Sequence, residues 1–118
     1  MNNRIIKFRA WNKDFKTMGR PFTLQDAIGS REVNGVNTCG IDYMQFTGLI
    51  DKNGKEIYEG DILQYIDGDN SPELYQVIFS NGNFILASLE DAEYDEYIGD
   101  FDPKEVIGNI YENPELLK

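Results

Sequence analysis

The chain has 118 residues, which at about 150 residues per domain points to one domain, and 41% of them are hydrophobic against 27% charged. That balance speaks against a disordered tract or a membrane protein, and a formal charge of -10, from 11 Lys/Arg and 21 Asp/Glu, argues against a surface given over wholly to nucleic acid. There is no histidine and Cys39 is the only cysteine, so the commonest general base, the commonest metal ligand, an intramolecular disulfide and a cysteine-based zinc site are all excluded.

Read in chain order, Ile6, Phe8 and Ala10 alternate with Lys7, Arg9 and Trp11, a period of two that predicts a strand from Ile5 to Trp11. Asn12-Lys13-Asp14 reads as a turn and Phe15 to Met18 as a short return strand. Thr23 to Gly29 carries a capping hydroxyl, apolar residues at helical spacing and a terminal glycine, which predicts a helix of one to two turns. The Gly, Asn and Ser content of Ser30 to Gly40 predicts a loop. Tyr43 to Leu49 is rich in β-formers, and Asn53-Gly54 follows as a hairpin signal, because a type I′ turn needs positive φ at both central residues. Glu56 to Tyr58 is the return strand, Glu59-Gly60-Asp61 punctuates it, and Ile62 to Ile66 is the next strand.

Beyond a loop at Asp67 to Pro72, Leu74 to Phe79 and Phe84 to Leu89 flank a second Asn-Gly pair, Asn81-Gly82. Ser88 to Ile98 is acidic and reads as loop or short helix, with Ala92 its one strong helix former. Val106 to Tyr111 is a closing strand, and Pro114 to Leu117 a terminal helical turn. Short strands joined by tight hairpins predict a mainly β fold, a small antiparallel barrel-like or sandwich-like domain with one or two short helices. No repeat or low-complexity linker divides the chain, so residues 1–118 are read as a single domain.

Three blocks carry a family resemblance. Ile6-Lys7-Phe8-Arg9-Ala10-Trp11 opens it, Met44 to Leu49 runs on through Asp51 to Ile62, and Val106-Ile107-Gly108-Asn109-Ile110-Tyr111 continues to Leu116. In this order they resemble the YopX family of phage and prophage proteins. Asn12, Phe46 and Ile50 depart from the aspartate, tyrosine and lysine usual there, and Asn12 weakens the idea of a chemically active carboxylate after Trp11. The resemblance implies a small, mainly β, phage-encoded protein in a bacterial cytoplasm, and it implies no activity, cofactor or catalytic residue. A lone thiol and a start, Met1 to Lys7, without a signal-peptide pattern agree with the cytoplasmic setting.

Charge is unevenly spread. Residues 1–55 hold nine Lys/Arg and five acids, whereas residues 56–118 hold two Lys/Arg and 16 acids. Lys7, Arg9 and Trp11, with Lys13 beyond them, form a basic and aromatic stripe that could grip single-stranded nucleic acid by stacking and phosphate contact. The same stripe could instead pair with the acidic half of the chain, Trp11 covering a second small core. The acids from Glu90 to Asp102 interleave with Tyr94, Tyr97 and Phe101. They form either a solvated edge or a docking face for a basic partner, with tyrosines as anchors.

No catalytic residue, cofactor site or metal site is expected. Asp67 to Ser71 begins like a calcium loop, but Pro72 stands at its sixth position and Ile78 at its twelfth. Glu59 and Asp61 flank Gly60 as solvated acids or caps, and no histidine or elbow motif stands ready to activate a serine or threonine, which leaves only carboxylate, tyrosine or lysine chemistry to an enzyme. The reading is therefore a non-enzymatic binding module. Its expected partner is a protein of phage or host, with nucleic acid held by the basic N-terminal strand as the alternative. Membrane binding is not expected, and a homo-oligomer is possible through exposed sheet edges. The candidate surface comprises Lys7, Arg9, Trp11, Lys13, Tyr94 and Tyr97.

Overall fold

Local hairpins build two antiparallel sheets in the computed structural model, which describes residues 5–23, 40–66, 72–90, 95–97 and 104–117. The first sheet contains β1 (Lys7–Asn12), β2 (Thr17–Met18), β3 (Phe22–Thr23), β4 (Ile41–Ile50) and β5 (Glu56–Tyr58). Its order is β2-β1-β4-β5, with β3 also paired to β1. The second sheet contains β6 (Asp61–Tyr65), β7 (Glu73–Ser80), β8 (Asn83–Ser88), β9 (Asp95–Tyr97) and β10 (Glu105–Asn109), in the order β10-β6-β7-β8-β9. A 3₁₀ turn over Pro114–Leu117 follows. The mainly β class read from the sequence is what the chain adopts.

Alternation explains where the core sits. Tyr75, Val77 and Leu86 share one face of the β7–β8 hairpin, and the register places Leu63 opposite Tyr75 and Val106 opposite Leu63. With Ile57 of the first sheet they form one buried cluster, each 9% exposed or less. At about 25 cal/mol per Å² of apolar surface removed from water, each such side chain contributes about 1.5–3 kcal/mol relative to exposure.

The two Asn-Gly pairs behave differently. Asn81 and Gly82 both take positive φ, 51° and 82°, and Ser80 pairs with Asn83, the two-residue type I′ hairpin expected. At the first pair only Gly54 is left-handed, at φ 84°. Gly54 N donates to Asp51 O (3.0 Å) and Asp51 N to Lys55 O (2.8 Å), a three-residue loop closed by a left-handed glycine. The type I′ expectation for Asn53-Gly54 is corrected. The Asp51 carboxylate selects the longer loop, because its Oδ1 accepts from both Asn53 N and Lys55 N at 2.8 Å.

Three further expectations change. Asp95–Tyr97, read as loop or short helix, is a strand paired to β8 through Ala87↔Asp95 and Ile85↔Tyr97. A neighbouring strand with an open edge satisfies its backbone, which local propensity could not signal. Thr23, read as a helix cap, lies in β3 opposite Lys7; the rest of that helix, the 30–39 loop, Cys39 and the Asp67 to Ser71 loop lie outside the described residues. Finally, the return strand after the first turn begins at Thr17, so Phe15 belongs to the turn.

The sheets meet at the corner Glu59-Gly60-Asp61. Glu59 N donates to Gln45 O (3.0 Å) in the first sheet, and Gly60 N to Val77 O (2.9 Å) in the second. Gly60 has φ 84°, and a Cβ there would meet Met44 Sδ at 3.4 Å and Ile110 and Tyr111 carbons at 3.6 and 3.7 Å. The positive φ calls for glycine, while the three neighbours would stand at ordinary van der Waals distance from such a Cβ.

Candidate functional site

The face of β1 that carries Lys7, Arg9 and Trp11 turns toward this corner. Arg9 Nη2 donates to Asp61 Oδ1 at 2.6 Å and to Glu59 O at 3.4 Å, and its guanidinium lies 4.8 Å from the Tyr58 ring centroid. Asp61, 1% exposed, accepts Tyr58 N at its other oxygen (2.8 Å). Lys7 pairs with Glu56 and lies 4.9 Å from the Phe46 centroid. Trp11 is buried and stacks on Tyr111, centroids 5.5 Å apart at 25°. The stripe is thus a zipper: each member meets an aromatic ring, and both cations meet a carboxylate. Cation–π contacts are worth about 0.5–1 kcal/mol at exposed sites and about 2 kcal/mol or more when desolvated.

The protonation states follow from these neighbours. Burial pushes the Asp61 carboxyl up, outweighing the pull of the Arg9 charge and the Tyr58 N–H. Glu56 is held below its usual range mainly by the Lys7 hydrogen bond. Burial, then Glu56, raises the Tyr58 hydroxyl well above an ordinary phenol. Burial also raises Tyr111, with Asp42 adding to it.

Asp51 makes a second tie between the sheets. Besides capping its own hairpin, its Oδ2 accepts Val106 N of β10 at 3.0 Å. Burial would raise this carboxyl, but the N–H donors of Val106, Lys55 and Asn53 outweigh it and hold the pKa below its ordinary value. At the end of β10, Asn109 Oδ1 accepts Tyr111 N (3.0 Å) and Glu112 N (2.8 Å), while Asn109 N donates to Asn113 Oδ1 (3.1 Å). A Cβ on Gly108 would stand 2.5 Å from that Asn113 oxygen. Among the described residues no buried side-chain nitrogen or oxygen lacks a partner, and no group of three acids or cysteines could hold a metal ion.

Lys13 is on the other side of the account: it is 55% exposed and pairs with Asp42 at 3.2 Å, a surface pair worth about 0–1 kcal/mol. Tyr97 lies in β9, its backbone opposite Ile85, and Tyr94 lies outside the described residues. The structure therefore gathers Lys7, Arg9 and Trp11 on one internal seam, with Lys13 at its outer end.

Sequence reasoning passed over the tip next to Lys13. Phe15 is 77% exposed, the most exposed of the large hydrophobic side chains described. Asn12 Oδ1 holds its turn by accepting Asp14 N (2.9 Å) and Phe15 N (3.0 Å), and Lys13 N donates to Gly40 O (2.7 Å). An amide oxygen serves here as well as a carboxylate, so Asn12 needs no charge. Lys16 closes the turn at φ 53°, an uncommon conformation for a residue with a Cβ. The available signal was a phenylalanine inside a run of cations read as strand.

Comparisons with known proteins agree with this architecture. A family model described as YopX protein matches residues 7–118. The chain is similar to protein EF1440 from Enterococcus faecalis, with 27% identity and a TM-score of 0.65 over 98% of this chain and 100% of that one. It shares its fold with protein yopX from Bacillus subtilis at 20% identity and a TM-score of 0.56, covering 95% of each chain. No curated protein matches it.

Proposed function

The chain belongs to the YopX family, and we propose that it is a non-catalytic β module that acts by binding another protein. The observation that carries this reading is the internal use of the basic stripe. Lys7 and Arg9 spend their charge on Glu56 and Asp61, and Trp11 spends its ring on Tyr111, so the cations most suited to phosphates face inward. Large apolar side chains meanwhile stand at the surface, among them Phe15, Tyr43, Ile50 and Phe79. Exposed aromatic anchors among polar groups suit a protein partner. Asp51 and Asp61, the buried carboxylates, are saturated by backbone N–H groups and by Arg9, which favours a structural role over acid–base work. On the family resemblance and the lone Cys39, the setting is the cytoplasm of a bacterium carrying the phage or prophage.

The test is an affinity pull-down of the tagged chain from bacterial lysate, with and without nuclease. A stoichiometric protein that survives nuclease is the expected result. Recovery of nucleic acid, with every protein lost after nuclease, overturns the reading in favour of a nucleic-acid-binding accessory protein.

A further inference from the structure

Resting on the protein-binding reading, we propose that the outer edge of β9 is the docking element, taking an extended segment of the partner protein that bears lysine or arginine as a sixth strand of the second sheet. Register shows which groups such a strand would meet. Ser80 and Asn83 bracket a two-residue turn and exchange their backbone bonds, so the N–H and C=O of Asn83 point toward β7. Alternation along β8 then turns those of Leu86 toward β9, where Glu96 stands opposite. The N–H and C=O of Asp95 and of Tyr97, one residue to either side, therefore point away from the sheet. Among the described residues β9 pairs with β8 alone. The other edges are closed. On β10, Val106 N donates to Asp51 Oδ2 (3.0 Å) and Asn109 N to Asn113 Oδ1 (3.1 Å), and Lys104 O accepts Lys52 N (3.2 Å). On β5, Tyr58 N donates to Asp61 Oδ2 at 2.8 Å. β2 and β3 are two residues each, with Gly19, Arg20 and Pro21 between them. Edges are ordinarily capped, shortened or charged against unwanted pairing, and among the described residues β9 shows only the charge.

Charge selects the occupant. Residues 90–102, the stretch that contains β9, hold seven Asp/Glu and no Lys/Arg. A second copy pairing edge to edge through β9 would bring two such stretches together, and like charges opposed across a ladder destabilise it. A strand bearing lysine or arginine meets opposite charge instead, so cross-strand attraction adds to the main-chain bonds. The same acids thus turn away copies of this chain and admit a basic strand, the main chain supplying affinity and the charges choosing the partner.

The experiment titrates the intact chain with a short peptide alternating lysine and valine, with its glutamate-for-lysine counterpart, and with a counterpart N-methylated at two successive central residues, so that both of its edges are blocked. Amide hydrogen exchange read by NMR locates the contact. The expected result is preferential binding of the lysine–valine peptide, with new protection at Asp95 and Tyr97 and none gained at Glu96, whose N–H already faces β8. N-methylation should weaken binding about tenfold, the scale of one or two lost backbone bonds. Asp95→Asn with Glu96→Gln should weaken it about threefold without lowering thermal stability, which separates lost attraction from lost fold. Protection centred elsewhere, or equal binding of the N-methylated peptide, overturns β9 as a strand-adding edge. Equal binding of the glutamate counterpart overturns the basic occupant. No binding of the lysine–valine peptide at millimolar concentration overturns the whole proposal, and in each case the pull-down decides the protein-binding reading separately.

Discussion

Removing the Asp51 carboxylate tests how the two sheets are joined. In Asp51→Ala, Val106 N loses its acceptor inside the protein, a cost of about 1–3 kcal/mol for an unsatisfied buried donor. Asn53 and Lys55 lose a capping oxygen at an exposed turn where water replaces it, adding about 1 kcal/mol. The total is about 2–4 kcal/mol, out of the roughly 5–15 kcal/mol of a typical domain. The same site carries a pH signature. The folded pKa of Asp51 lies below its ordinary value of 3.8, so its contribution is complete above that value and is lost as pH falls through the folded pKa. Asp51→Asn cannot titrate and should show a shallower fall in stability than the parent between neutral and strongly acid pH. Glu56, depressed by Lys7, falls over a neighbouring range in both proteins and cancels in the difference. Urea unfolding at several pH values, with the slope m checked for constancy, measures both effects. An Asp51→Ala protein within about 0.5 kcal/mol of the parent, or parallel acid profiles for parent and Asp51→Asn, would refute the reasoning.

Two other perturbations probe the corner. Arg9→Met alone strands Asp61 and should cost about 3–5 kcal/mol, whereas Arg9→Met with Asp61→Leu should recover part of that loss; a strictly additive double variant in denaturant unfolding counts against a coupled pair. Gly60→Ala meets positive φ with three neighbours at ordinary contact distance, while Gly82→Ala meets positive φ and open space. Both should therefore lower stability by a similar amount, about 1–2 kcal/mol, and a much larger loss for Gly60→Ala in thermal unfolding would show the corner to be tighter than drawn.

Legibility in the sequence followed the reach of each interaction. The β7–β8 hairpin was readable because its information is local: two alternating strands and a two-residue turn whose residues both accept positive φ. The same dipeptide at Asn53-Gly54 misled, since the Asp51 carboxylate accepts the N–H groups of Asn53 and Lys55 and lengthens the loop. The strand at Asp95–Tyr97 was invisible because the open side of β8 decides it. Alternation put Lys7, Arg9 and Trp11 on one face correctly, yet both fates of that face stayed open, because Glu56, Asp61 and Tyr111 lie far along the chain. The three blocks of family resemblance gain a physical meaning here. They hold the seam of β1, the Asp51 and Gly60-Asp61 ties, and the Gly108–Asn113 turn, the parts that fasten one sheet to the other.

The stacking of Trp11 on Tyr111 has a consequence for the order of synthesis. A growing chain gains about 5–20 residues each second, so several seconds separate the emergence of these two rings. Over that interval β1 can pair with β4 and receive Glu56 and then Asp61, but its indole lacks the Tyr111 ring. Closure waits for the turn after β10, so β1 emerges ahead of the other described strands and is among the last to be finished. Nascent chains halted short of Tyr111 are the ones in which an exposed tryptophan beside an unsealed sheet invites aggregation.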